Sequence, residues 1–102
     1  MDHVFKLFVA GDTARTRNAQ VALRELCEEY LSGRYEIEVI DVAERPDMAE
    51  EYRIIATPAI VKVRPPPSRR ALGDLREAER VVHALQIRIG AIETRDVEGV
   101  DE

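Results

Sequence analysis

The sequence predicts a single small α/β domain of element order βαβαββα, and three observations carry that prediction. An apolar, strand-forming run near the N-terminus is followed by a helical stripe and a second strand-forming run, which together make a βαβ unit. A short apolar run at 59–63 is fenced by prolines on both sides and supplies a third strand. A long stripe stepping by three and four from Leu75 to Ile92 supplies a closing helix. The 102 residues, 45% of them apolar, suit one core and one domain.

Val4 to Val9 is a nearly unbroken apolar run bounded by Gly11-Asp12, as expected of a central strand covered on both faces. Thr13 or Thr16 can cap the helix that follows. Within that helix Ala19, Leu23, Leu26, Cys27 and Tyr30 form one apolar stripe, and Gly33 fits the position just past its end. Ile37 to Val42 is the second strand, so strands one and two should run parallel with a right-handed crossover. Pro46 suits the first position of a short helix with Met48 and Tyr52 on one face. Thr57-Pro58 ends that pattern before the third strand, Ala59 to Val63. A brief strand, Arg69 to Leu72, and a Gly73-Asp74 turn follow. Asp74 with Glu77 makes a capping-box-like start for the last helix, whose apolar positions are Leu75, Ala78, Val82, Leu85, Ile89 and Ile92. Residues 1–92 are expected to form the domain. Residues 93–102, acidic and aperiodic, are expected to be a disordered tail. A proline entering the third strand of this order makes the plan thioredoxin-like.

Composition removes several function classes. A single cysteine, Cys27, excludes an internal disulfide and any Cys-x-x-Cys chemistry. His3 and His83 stand far apart, without metal-ligand spacing, so no metal or cofactor is expected. Asp12, Asp41 and Glu44 have no nucleophile or partner histidine beside them and read as turn and strand-end residues. Gly11 stands alone, without a phosphate-binding loop. A net charge of −5 argues against nucleic acid as partner. No apolar run reaches 18 residues, and the N-terminus reads as a strand rather than a signal peptide, so a cytoplasmic, non-membrane protein is expected.

Four stretches carry a more specific signal: KLFVAGDT at 6–13, VIDV at 39–42, ATPAIVKV at 56–63 and, above all, RPPPSRRALGDL at 64–75. Triple proline, paired arginine and Gly-Asp-Leu at this spacing resemble the KaiB family of circadian-clock proteins, in collinear order from about Phe5 to Ile92. The resemblance implies a non-enzymatic binding protein that docks on the ATPase ring of the hexameric clock kinase KaiC and modulates its phosphorylation cycle. It also implies competition with the thioredoxin-like sensor domain of a histidine kinase. In cyanobacteria the resulting complex sequesters KaiA. The family is metamorphic: a tetrameric ground-state fold exchanges with a thioredoxin-like monomer that binds the ring, the C-terminal half being refolded and its proline isomers differing. X-Pro bonds, with a cis penalty of roughly 0.5–1 kcal/mol and slow exchange, suit such a switch. On the residues alone, Pro58, Pro65, Pro66 and Pro67 equally serve to rigidify a loop and stop a strand.

The resemblance marks Arg53, Lys62, Arg69 and Arg70 as basic positions able to pair with carboxylates on a ring subdomain. Solvation of an edge strand is the plainer role for the two neighbouring arginines. Gly73 and Asp74 belong to the family's signature turn. Two departures separate this chain from cyanobacterial members. Ala84 and Gln86 replace a glycine and an aspartate in the last helix, and Ala for Gly favours helix by about 1 kcal/mol. The expectation is a chain resting as the thioredoxin-like monomer rather than the tetramer. Glu36 and Glu38 replace a small residue and a lysine on the second strand. Reversing that charge argues against KaiA as a partner, since like charges are an effective way to refuse one. Two other readings remain: an interaction module for a different kinase or signalling partner, including display of RPPPSRR as a polyproline ligand, and a thiol oxidoreductase built on Cys27. Cys27 lies mid-helix, away from the helix N-terminus that would activate a thiol, which counts against the last.

Overall fold

The protein is described here as a computed structural model over residues 3–72 and 78–85. The element order is β1 (His3–Val9), α1 (Ala14–Leu31), β2 (Tyr35–Asp41), α2 (Pro46–Glu51), β3 (Ala59–Arg64), β4 (Arg69–Leu72) and α3 (Ala78–Leu85). The strands form one sheet in the order β2-β1-β3-β4. β1 and β2 are parallel, β3 runs antiparallel to β1, and β4 antiparallel to β3. This is the βαβαββα order read from the sequence. The Gly73-Asp74 turn, the Asp74 cap, Leu75, Gln86, Ile89, Ile92 and the 93–102 tail lie outside the described residues.

Side-chain alternation along the strands separates two packing faces. Phe5, Leu7 and Val9 of β1 and Ile60 of β3 meet Ala19, Leu23, Leu26, Cys27 and Leu31 of α1 and Val81, Val82 and Leu85 of α3. On the opposite face Phe8, Ile40, Ala59 and Val61 are buried, with Met48 and Tyr52 packed against them from the short α2 side. Tyr52 tilts onto Phe8 with ring centroids 5.5 Å apart. β1 therefore needs apolar residues pointing both ways, which is why its sequence is a run rather than an alternation.

The caps follow their residue chemistry. Thr13 Oγ1 accepts the Thr16 N–H at 3.1 Å, so Thr13 is the N-cap and Thr16 turns inward, buried. α1 ends with Ser32 at φ +52 and Gly33 at φ +81, and the Arg34 N–H donates to the Leu31 carbonyl at 3.0 Å. Gly33 is thus past the helix end as expected, but a serine shares the left-handed turn with it. Pro46 opens α2. β2 starts at Tyr35, two residues before the apolar run suggests, because its parallel register with β1 begins at His3–Tyr35. The Val42 N–H extends that pairing to the Val9 carbonyl at 2.9 Å.

Candidate partner-binding surface

The register places four side chains in one row across the α2-covered face. Glu38 of β2 stands beside Lys6 of β1, Lys6 beside Val61 of β3, and Val61 beside Arg70 of β4. With strands about 4.8 Å apart, the row spans roughly 14 Å, acidic at the β2 edge and basic at the β4 edge. Glu36 precedes Glu38 on the same face, and both are exposed. Lys6 Nζ donates to Glu38 Oε1 at 2.5 Å, and its side chain is only 17% exposed against 49% for Glu38. Glu38 is therefore paired from inside the sheet while its side chain stays half-exposed.

The basic end is built from two segments. Arg70 Nη1 donates to the Arg53 carbonyl oxygen at 3.2 Å, tying β4 to the turn after α2. That turn closes α2 with a 6→1, 5→2 pair: Ile54 N–H to Ala49 O at 2.9 Å and Arg53 N–H to Glu50 O at 3.1 Å. Such a turn needs a left-handed residue, and Arg53 takes that role at φ +54 where glycine is usual. Ile54 then packs against the buried Phe8 cluster, while Ile55 stands 87% exposed. Leu72, two residues beyond Arg70 on the same face, is 50% exposed. Arg70 and Leu72 thus share the β4 edge of this face, and the Arg53–Ile55 turn is joined to that edge through the Arg53 carbonyl.

The sequence candidates divide accordingly. Arg53 and Arg70 are brought together; Glu36 and Glu38 sit at the far edge of the same face. Arg69 is exposed but points to the opposite face, because neighbouring residues of a strand alternate. Lys62 is not among the exposed cations. It pairs with Phe5 in register on the α1 and α3 face, is 1% exposed and is engaged within the protein. Pro58 is buried at the start of β3, whereas Pro66 and Pro67 are exposed at the β3–β4 tip and Pro65 is half-buried. The Thr57-Pro58, Arg64-Pro65 and Pro66-Pro67 bonds are cis. Ala84 is helical and exposed on α3. Gly73, Asp74 and Gln86 lie outside the described residues. Lys6, Ile55 and Leu72 escaped the sequence reading. A lysine inside the apolar run of β1 was the available signal for Lys6, and two consecutive isoleucines after an amphipathic turn, of which only one can face inward, was the signal for Ile55.

The place where thioredoxin-like enzymes hold their dithiol is a hollow of about 230 Å³ between the end of β1, the start of α1 and Thr57-Pro58. Its lining is Val9, Ala10, Thr13, Arg15, Thr16, Thr57 and Pro58, without a cysteine. Cys27 is fully buried in the middle of α1, and burial pushes its thiol up to about 12. It is protonated across the physiological range and unsuited to thiolate chemistry. Asp41 Oδ1 accepts the Ala43 N–H at 2.8 Å and Asp12 pairs with Arg17 at 3.0 Å, so both serve their turns. Among the described residues no cluster of His, Cys, Asp and Glu could hold a metal, and no helix is long and apolar enough to cross a membrane.

Comparison with known proteins agrees with this geometry. Chloroplastic thioredoxin z superimposes with a TM-score of 0.64 at 28% identity, covering 83% of this chain and 77% of that one. The solution structure of the N-terminal domain of Synechococcus elongatus SasA superimposes with a TM-score of 0.63 at 27% identity, covering 88% and 89%. Circadian clock oscillator protein KaiB of Prochlorococcus marinus (strain MIT 9312) is 44% identical over 85 residues, 83% of this chain and 81% of its own length. The family model described as KaiB domain matches residues 6–87. A thioredoxin-like scaffold without its dithiol, carrying the Pro-Pro-Pro and Arg-Arg signature on its last hairpin, is accounted for in one way: the chain belongs to the KaiB family of circadian-clock proteins.

Proposed function

We propose that this protein is a non-catalytic clock or regulatory module that docks on the hexameric ATPase ring of a KaiC-like protein and modulates its phosphorylation cycle in the cytoplasm. The single observation that carries the reading is the β4 edge, where the exposed Arg70 and Leu72 are tied through the Arg53 carbonyl to the turn that carries Arg53 and the exposed Ile55. Guanidinium groups beside exposed aliphatic side chains suit an anchor on a carboxylate-bearing partner. Arg69, on the other side of the same edge strand, extends the basic rim. Glu36 and Glu38 at the opposite edge speak against KaiA as a second partner. Ala84, a strong helix former in α3, supports a resting thioredoxin-like monomer.

The similarity to the SasA N-terminal domain favours a second reading, an interaction module for a different kinase or signalling partner. Titration of the protein onto the organism's KaiC-like ATPase with ATP, followed by light scattering, separates the two. Saturation near one copy per ring subunit within minutes is expected. Binding that takes hours overturns the proposed resting fold, and absence of binding overturns the KaiC-like partner.

A further inference from the structure

We infer that Ile55 is an apolar plug for a socket rimmed by carboxylates, and that Arg70 is a positioning residue which holds the plug in place through the backbone of Arg53. The inference deepens the proposed docking reading and rests on it for the identity of the partner. Three observations converge. Ile55 is the most exposed large aliphatic side chain among the described residues, at 87%. The residue two before it occupies a left-handed conformation, φ +54, that arginine adopts only at a cost. The carbonyl of that same residue receives the Arg70 guanidinium at 3.2 Å.

The turn has two sides. Ile54 is drawn into the Phe8 cluster and its N–H is bonded to Ala49 O, which fixes the inner side. The outer side carries Ile55, and the bond from Arg70 is what ties it to the sheet. Without that bond, the left-handed turn is held by the end of a six-residue helix and by the packing of Ile54 on its inner side. A plug must be pre-organised to bind well, because ordering a loop on contact weakens affinity. The occupant is set by charge: Arg53, two residues before Ile55, and Arg70, whose guanidinium reaches the Arg53 carbonyl, are both exposed cations, so a matching socket is apolar within and acidic at its rim. A second copy of this chain would bring guanidinium against guanidinium, which disfavours self-association through this patch.

Arg70→Met, Arg53→Gly and the double variant test the clamp. Glycine takes a left-handed turn without strain and keeps the carbonyl, so Arg53→Gly makes the clamp dispensable. Amide hydrogen exchange at Ile54 and Ile55 in the free protein is expected to quicken about three- to tenfold in Arg70→Met and to return near the Arg53→Gly rate in the double variant. Binding to the KaiC-like ring with ATP is the second readout. Arg70→Met should weaken it by a larger factor in the wild-type background than in the Arg53→Gly background, and Ile55→Ser should weaken it at least tenfold with unchanged melting. Equal losses in both backgrounds would make Arg70 a direct contact and overturn the positioning role. Unchanged exchange in Arg70→Met overturns the clamp whether or not the ring binds. Full binding by Ile55→Ser, or self-association of the wild type that Ile55→Ser abolishes, overturns the plug. If the wild type fails to bind the ring, the proposed partner falls and with it the plug's socket, while exchange still decides the clamp.

Discussion

Replacing Glu38 by lysine should destabilise this protein by an amount the sheet row sets. Lys6 is only 17% exposed and its ammonium rests on Glu38. Loss of that ion pair costs about 0.5–1 kcal/mol, at the upper end for a surface pair because Lys6 is half-enclosed. The new lysine stands directly beside Lys6 in the parallel register, and like charges in such a position cost a further ~0.2–1 kcal/mol. The sum is about 0.7–2 kcal/mol, a fall in Tm of roughly 3–16 °C for a domain of this size. Melting followed by circular dichroism at low salt and at 1 M salt is the assay, with Glu38→Gln as the control that removes the pair without adding repulsion. The gap between the lysine and glutamine variants should shrink by about half in high salt, since screening acts within about 3 Å there. A lysine variant as stable as the glutamine variant, or a gap indifferent to salt, would refute the row as the source of the effect.

Four further outcomes follow from burial, capping and packing. Cys27 should resist thiol-modifying reagents at pH 8 in the native state and react at once in denaturant, because burial holds its thiol protonated up to about 12. The same shift has a pH signature: the folded thiol keeps its proton when the unfolded one, near 9, has lost it, so stability is full below about pH 9 and declines as pH rises toward 12. Absence of alkaline loss in a Cys27→Ala comparison would contradict it. Thr13→Ala, which removes the cap from the Thr16 N–H, should cost about 1 kcal/mol in chemical denaturation, and Thr13→Asp should cost little. Leu23→Ala, emptying a fully buried position between α1 and the sheet, should cost about 2–5 kcal/mol with unchanged ring binding in the surviving folded fraction.

The architecture was legible because its signals are local. The apolar run of β1, the stripe of α1, Pro46 at the start of α2 and the prolines fencing β3 each declare an element within a few residues. Gly33 marked the end of α1 correctly, while its partner in the left-handed turn, Ser32, carries no comparable mark. The surface was less legible because it is assembled by register. That Lys6 meets Glu38 depends on how β1 and β2 align, and the alternation that exposes Arg70 on the α2 face sends Arg69 to the other. Lys62 resembled a contact residue because its neighbours in sequence belong to the signature, yet the pairing with Phe5 turns it inward. Arg53 at the left-handed position was hidden for a different reason: the usual marker is glycine, and here an arginine bears the strain with help from a residue 17 positions away.

The hollow beside Thr57-Pro58 carries Thr13 and Arg15 at its helix side and no cysteine. The exposed arginines of β4 are of the kind that keep an edge strand from pairing with other strands.

The most direct test of the docking account is the footprint of a KaiC-like ATPase ring on the isotope-labelled protein, read by NMR with ATP present. Signals of Arg53–Ile55 and Arg69–Leu72 should broaden or shift on binding, with the solvent face of α1 around Gln20 and Arg24 unaffected. Perturbation of that α1 face with Arg53–Ile55 unchanged would contradict the account.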